Sequence, residues 1–298
     1  VTTPGAVVQR RQLRTELKKA RAKAGLTQLE VAARMDWSSS KLLRIEAGQV
    51  GISSDDLRAL LREYGIVDPQ RLGYFLELAL ASGKMPYQEY RDLLPKPYMN
   101  LLSYEVAASV VRSFEPLVIP GMLQIEEYAR ATSQAFSPHI TGECLDRAVK
   151  ARLQRQELLV NEHRPEFFFI IDEAAIHRWT GGPGVMKSQL LHLKEMATRP
   201  GISIQIVPFS VGAHVGLQGS FVLLEFNGEM DDILYLEKTS GDSVFSDDTE
   251  ATSRYLETFW ALEGQSPRED LPRLIDLAIE GMNGVPEARP SVEVSVEA

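Results

Sequence analysis

The stretch that decides the fold is LTQLEVAARMDWSSSKLLRIEAGQ, Leu26 to Gln49. Thr27 followed three residues on by Glu30 is a capping-box pattern, which starts a helix at Gln28 that runs to about Met35. "MDW" breaks the period, and Ser38 supplies a cap for a further helix that ends before Gly48. Consecutive serines make poor helix interior, but they make good helix starts and good hydrogen-bonding surface. In this second helix Leu42 and Ile45 repeat at i, i+3 and should face inward. Ser39, Ser40, Leu43 and Arg44 then point outward, with Lys41 at the shoulder.

Two short helices joined by a tight turn, with small Ala32 allowing close approach, form a helix-turn-helix. Its second helix reads base edges in the major groove, mainly with its N-terminal residues. Serine hydroxyls both donate and accept, so they meet several base edges, and arginine grips guanine O6 and N7 bidentately. A merely polar turn would explain Ser38 but not an arginine one turn later on the same open face.

Upstream, Gln9 to Ala24 places Leu13, Leu17 and Ala20 on one helical stripe amid Arg and Lys, and Gly25 supplies the stop. Downstream, Ser53 with Asp55 and Asp56 opens a fourth helix towards Tyr64, with Leu57, Leu60 and Leu61 inward. Pro69 opens a fifth, roughly Gln70 to Ala81. "SGKMP" (Ser82 to Pro86) reads as a linker. Charge is also distributed unevenly along the chain. Residues 1–66 hold 12 Lys+Arg and 7 Asp+Glu, a net of +5, and the remaining 20 basic and 34 acidic residues give −14, which together make the chain's −9. A basic head on an acidic body suits a head that meets a polyanion.

Beyond the linker, helices are expected at Tyr87 to Leu94 and Tyr98 to Arg112. FEPLVIPGMLQIEEYARA should form an extended crossing that turns at Pro120-Gly121 into a helix, and Glu143 to Asn161 a long amphipathic helix. The period then changes. EFFFII, ISIQIVPF, GSFVLLEF and DILYLE read as four strands, with a helix near Gly184 to Thr198 between the first two. Close spacing makes the last three strands an expected antiparallel meander. Helices at Asp247 to Gly264 and Pro267 to Met282 close the fold. The expected fold class is α+β: an N-terminal all-α five-helix helix-turn-helix domain (9–82), then a larger α+β domain (87–282) with a mixed, mostly antiparallel sheet. Residues 283–298 read as a mobile tail.

LTQ at the start of helix two, VAARM, and WSSSKLLRIEAG with its Ile-Glu-x-Gly ending resemble the Xre/Cro-type repressors, five-helix DNA-binding domains of bacterial and phage regulators. The resemblance implies that Gln28 bonds a phosphate, that Ser39, Ser40 and Arg44 approach bases, and that Lys41 holds backbone. Asp36 stands where a turn glycine is common, and Asp tolerates a left-handed backbone better than most residues. Leu43 has a thymine methyl within reach, although an exposed helix leucine is more often incidental. The expected DNA-facing set is Thr27, Gln28, Ser38, Ser39, Ser40, Lys41, Leu43 and Arg44. From Tyr98 to Met282, SFEPLVIPGMLQIEEYARA, RQELL, FFFIIDEAAIHRW, GGPGVMKSQLLHL and ISIQIVPFSVGAHVGLQGSFVLLEF resemble the domain that follows this motif in regulators of high-GC filamentous bacteria. Those proteins are described as antitoxin-like or developmental regulators, with genes often beside one for a small partner protein.

Enzymatic signals are weak. GGPGVMKS lacks the second phosphate-loop glycine, since Met186 stands there, and reads as a helix start. Glu173 and His177 at i, i+4 lack HExxH, so an ion pair or helix cap is expected there rather than a metal site with His192 or His214. FSVGAHVGLQGS is a glycine-rich loop around His214. Cys144, the single cysteine, excludes an internal disulfide and fits a reducing compartment. No catalytic residue, cofactor or metal ligand is assigned. The expected partners are double-stranded DNA with a palindromic operator, a second copy in a homodimer, and a small protein encoded nearby. No membrane is expected, because no apolar run approaches the roughly 18 residues a span needs and no secretory signal is read at the N-terminus; the location expected is cytoplasmic, nucleoid-associated when bound. Two other readings stay open: an antitoxin-like protein that mainly neutralises its partner, and a DNA-tethered enzyme using the Glu173, His177 and His214 region.

Overall fold

The computed structural model describes residues 6–46, 50–80, 87–162, 164–227, 230–237 and 243–282. The expected linker at 82–86 and the expected tail at 283–298 lie outside the described residues.

Five helices build the first unit: α1 (Ala6–Lys23), α2 (Gln28–Arg34), α3 (Ser39–Glu46), α4 (Ser54–Glu63) and α5 (Pro69–Leu80). Their ends follow local chemistry. Gly25 takes φ +70° after α1, Thr27 and Glu30 complete a reciprocal capping box, and Ser53 Oγ accepts the Asp56 N–H at 3.1 Å. Asp68 accepts the Arg71 N–H at 2.8 Å ahead of Pro69, so α5 has a carboxylate cap as well as a proline start. Leu13, Leu17 and Ala20 of α1 meet Val31, Leu42, Ile45, Leu57, Leu60, Leu61 and Phe75 in one core. Burial of each large apolar chain there contributes about 1.5–3 kcal/mol.

The larger unit is built on a six-stranded sheet in the order β3-β2-β1-β4-β5-β6. Its strands are β1 (Val110–Glu115), β2 (Glu166–Asp172), β3 (Ile202–Val207), β4 (Phe221–Glu225), β5 (Ile233–Glu237) and β6 (Ser243–Ser246). The first three are mutually parallel and the remaining pairings antiparallel, so the sheet is mixed with three antiparallel pairs of five. The helices are α6 (Lys96–Ala107), α7 (Glu126–Phe136), α8 (Gly142–Gln156), α9 (Glu173–His177), α10 (Pro183–Met196), α11 (Thr249–Glu263) and α12 (Asp270–Glu280). Side chains from α6, α7, α10 and α12 pack one sheet face around Val111, Phe167, Phe169, Ile204 and Leu224. Phe259 and Leu262 of α11 cover the other, against Phe114, Ile170, Phe221 and Leu234. This is a three-layer α+β arrangement.

Several sequence expectations are corrected. The helix expected from Tyr98 to Arg112 ends at Ala107, and Val110 begins a central strand. Its pairing partners lie far along the chain: β1 meets β2 and β4, and Ser109 N donates to Glu225 O at 2.8 Å. That nonlocal pairing outweighs the apparent helical period. The strand order also breaks the expected meander. β2 and β1 stand between β3 and β4, so the meander is β4-β5-β6. All six residues of β3 are buried, the pattern of a parallel strand covered on both faces. Tyr87 to Leu94 contains a single 3-10 turn, Gln88–Tyr90; α8 gives way to a 3-10 turn at Glu157; and α12 begins at Asp270, three residues after Pro267.

Candidate nucleic-acid interface

The α2-turn-α3 unit is set by three local features. Asp36 takes φ +54°, the left-handed conformation the turn requires, and Trp37 N donates to Ala32 O at 2.8 Å. Ala32 is buried where the helices cross, and Leu42 and Ile45 turn inward. Ser39, Ser40, Leu43 and Arg44 are consequently on the open face, with Leu43 51% exposed.

Each expected DNA-facing residue has a definite place. Thr27 is occupied as the α2 cap: its N–H and hydroxyl both donate to Glu30 Oε2 at 2.8 Å. These bonds, the backbone one first, hold the Glu30 carboxyl below its ordinary range. Ser38 and Ser40 hydroxyls lie 3.1 Å apart, each an exposed donor and acceptor. Lys41 is half-exposed, bonded to Asp56 Oδ2 at 2.9 Å with its ammonium 4.0 Å from the centre of the Trp37 ring. Arg44 Nε donates to Ser40 O at 3.3 Å, while its two terminal NH2 groups have no partner among the described residues. That fork is the geometry guanine recognition uses.

Gln28 has a further role that the sequence reading missed. Its Nε2 donates to Glu46 Oε2 at 2.6 Å, and the same carboxylate accepts Arg21 Nε at 2.7 Å and Nη2 at 3.1 Å. Glu46 is only 2% exposed, so a buried charge ties α1, the start of α2 and the end of α3 together. Its bond to Glu46 raises the Arg21 guanidinium above its ordinary value. The signal was present: 42, 45 and 46 are i, i+3, i+4 on one stripe, which puts Glu46 beside inward Leu42 and Ile45. One Gln28 N–H is thereby used inside the protein.

In the larger unit the structure brings His214 to Asp172, with Nε2 2.9 Å from Oδ2, and leaves His177 3.2 Å from Glu173 Oε1. Both carboxylates have structural work. Asp172 Oδ1 caps α9 by accepting the Ala174 N–H, and Glu173 Oε2 accepts the Phe209 N–H at 2.6 Å. Asp172 and Glu173 thus fasten the loop between β3 and β4. No group of three or more His, Cys, Asp or Glu side chains suited to a metal occurs among the described residues. Around the near phosphate-loop motif, Gly182 precedes α10, Pro183 opens it, and Ser188 Oγ donates to Gly184 O at 3.2 Å. That segment is a helix start, as expected. Cys144 is exposed on α8. A cavity of about 290 Å3 lies between the end of β4 and α11, but two carboxylates on its wall are already engaged. Glu225 pairs with Arg112 at 2.5 Å, and Asp232 accepts the Phe226 N–H at 3.2 Å.

No helix among the described residues is long and apolar enough to cross a membrane. Residues 12–72 match a helix-turn-helix domain, and residues 98–270 match a domain of unknown function (DUF5753). Neither the curated proteins nor the solved structures give a match.

Proposed function

The chain belongs to the DUF5753 family and carries a helix-turn-helix domain ahead of that family's own, and from this premise we propose that it is a sequence-specific transcriptional regulator of the Xre/Cro type. The observation that carries the reading is the open face of α3, where Ser39, Ser40 and Arg44, its terminal NH2 groups without a partner among the described residues, stand together on a helix fixed from behind. We assign Ser39, Ser40 and Arg44 to base edges. Thr27, Gln28, Ser38 and Lys41 go to the backbone flanks, and Leu43 to a thymine methyl. Gln28 and Lys41 reach phosphate with donors left over from Glu46 and Asp56, so their contacts are prepositioned.

One recognition helix reads too few base pairs to select an operator, so the active form is a homodimer on a palindromic site with half-sites about 34 Å apart. The larger domain supplies the dimer contact and binds a small, basic partner protein, which its acidic charge favours. We assign it no enzymatic role, a reading supported by the carboxylates beside His177 and His214, which fasten a loop. The protein works in the cytoplasm. An antitoxin-like version, in which partner neutralisation is the main task and DNA binding serves autoregulation, differs only in which event matters to the cell. Co-purification from the native host followed by DNA titration separates the two.

The decisive test is a pair of variants on a selected operator. Arg44→Ala should cost about 1–3 kcal/mol at the operator and relax preference at one base pair. Gln28→Ala should weaken specific and non-specific binding alike, because phosphates carry no direct sequence code. Equal loss of both for Arg44→Ala would remove its assigned role.

A further inference from the structure

Helix α1 is 18 residues long, about 27 Å at 1.5 Å per residue, and its two halves belong to different cores. Leu13, Leu17 and Ala20 pack in the small domain, while Val8 is buried in the larger one with Leu101 and Tyr104 of α6. Arg11 stands between them and is only 2% exposed. Its Nη2 donates to Asp231 O at 3.0 Å and Asp232 O at 3.3 Å, both in the connection between β4 and β5. The guanidinium lies 5.7 Å from the centre of the Tyr104 ring and 3.8 Å from Asp247, just ahead of α11. The next residue reaches the other way: Gln12 Nε2 donates to Tyr74 OH at 2.8 Å on α5.

Adjacent side chains of one helical turn therefore hold two domains. We propose that α1 is a rigid strut setting the angle of the recognition helix against the larger domain, with Arg11 as its releasable lock. The connection between β4 and β5, with the start of α11, is then the place through which an event in the larger domain reaches DNA. The regulatory half of this proposal rests on the DNA-binding reading; the mechanical half does not.

The lock has the chemistry of a switchable contact rather than a permanent one. Buried arginines usually sit against a close carboxylate, yet the main acceptors here are two main-chain carbonyls. Asp247 is at 3.8 Å and half-exposed, and Arg11 Nε has no acceptor among the described residues. Burial holds the Arg11 guanidinium below its ordinary value, more than the nearby carboxylates restore. Carbonyl acceptors make the lock a reading of backbone position. A displacement of about 1 Å in that connection takes both bonds beyond hydrogen-bonding range. Freed of them, α1 still meets the larger domain through Val8, the Tyr104 contact and the longer Asp247 pair, none of which is a short hydrogen bond.

The test uses the full chain with spin labels on Cys144, the exposed native cysteine of α8, and on an introduced Arg58→Cys, exposed on α4. With Arg11 intact, the label-to-label distance should form one narrow distribution. In Arg11→Met the distribution should broaden or split while circular dichroism stays unchanged; an unchanged distribution overturns the strut. If Arg11→Met does not fold, Arg11→Gln is read the same way, since the shorter glutamine amide cannot reach the two carbonyls that Nη2 bonds. On DNA, Arg11→Met should leave affinity for a single half-site unchanged and lower affinity for a two-half-site duplex about ten- to a hundredfold. Equal effects on both duplexes overturn the coupling. Should the unaltered chain bind no DNA, the DNA-binding reading fails by itself, and the distance measurement still decides the strut.

Discussion

Replacing Glu46 by alanine tests whether the DNA-binding domain is held by a buried charge or by its leucines alone. The carboxylate accepts two bonds from Arg21, at 2.7 and 3.1 Å, and one from Gln28 at 2.6 Å. Net contributions of charge-assisted bonds are about 1.5–3 kcal/mol each, and breaking a buried pair by removing one partner costs about 3–5 kcal/mol. Arg21 keeps 20% of its side chain exposed, so water takes over part of what the guanidinium loses. The expected cost therefore sits at the lower end, about 3 kcal/mol, a large share of what a small domain possesses. Urea denaturation combined with amide exchange on α2 and α3 reads the small domain separately from the larger one. A cycle of Arg21→Met, Glu46→Leu and the double variant isolates the pair, and we expect a coupling of about 2 kcal/mol, because the double variant leaves no stranded charge. A coupling below about 0.5 kcal/mol would refute the reasoning, since that is the scatter of independent sites.

Two further outcomes are expected. Burial lifts the Glu115 carboxyl at the end of β1 to about 8, with Glu237 adding to the rise and Arg155 and Arg152 opposing it. The unfolded chain ionises this group near 4.5, so its stabilising share is complete below that pH and is lost as pH rises to about 8. Discounted for the residual solvent contact of a half-buried residue, the loss is about 2 kcal/mol; Glu115→Gln should flatten melting temperature against pH across that window, and an unaltered slope would contradict the assignment. Gly216→Ala would place a Cβ 2.5 Å from the Phe114 ring, which is packed in the sheet core and has no room to move. A loss of about 1–3 kcal/mol in thermal unfolding is expected, and no loss would mean that the β3–β4 loop is looser than its fastening by Asp172 and Glu173 implies.

The five-helix domain was legible in the sequence because its determinants are local. Thr27 caps with Glu30 three residues away, Asp36 takes the turn's left-handed backbone by itself, and Leu42 and Ile45 share a face by helical period alone. The outward positions of Ser39, Ser40, Leu43 and Arg44 follow from the same period. Where a partner lies further along the chain, the sequence is silent. Nothing near Val110 announces a central strand, since its pairing with Glu166 and Glu225 exists only once the sheet has assembled. His214 could not be matched to Asp172 rather than to Glu173 from its spacing, and the fastening of the β3–β4 loop emerged only with the fold. Arg11 reads as one more basic residue on an amphipathic helix. Its burial against carbonyls 220 and 221 residues away is decided by how two cores meet along α1, because backbone oxygens leave no mark in the identity of the residues that carry them.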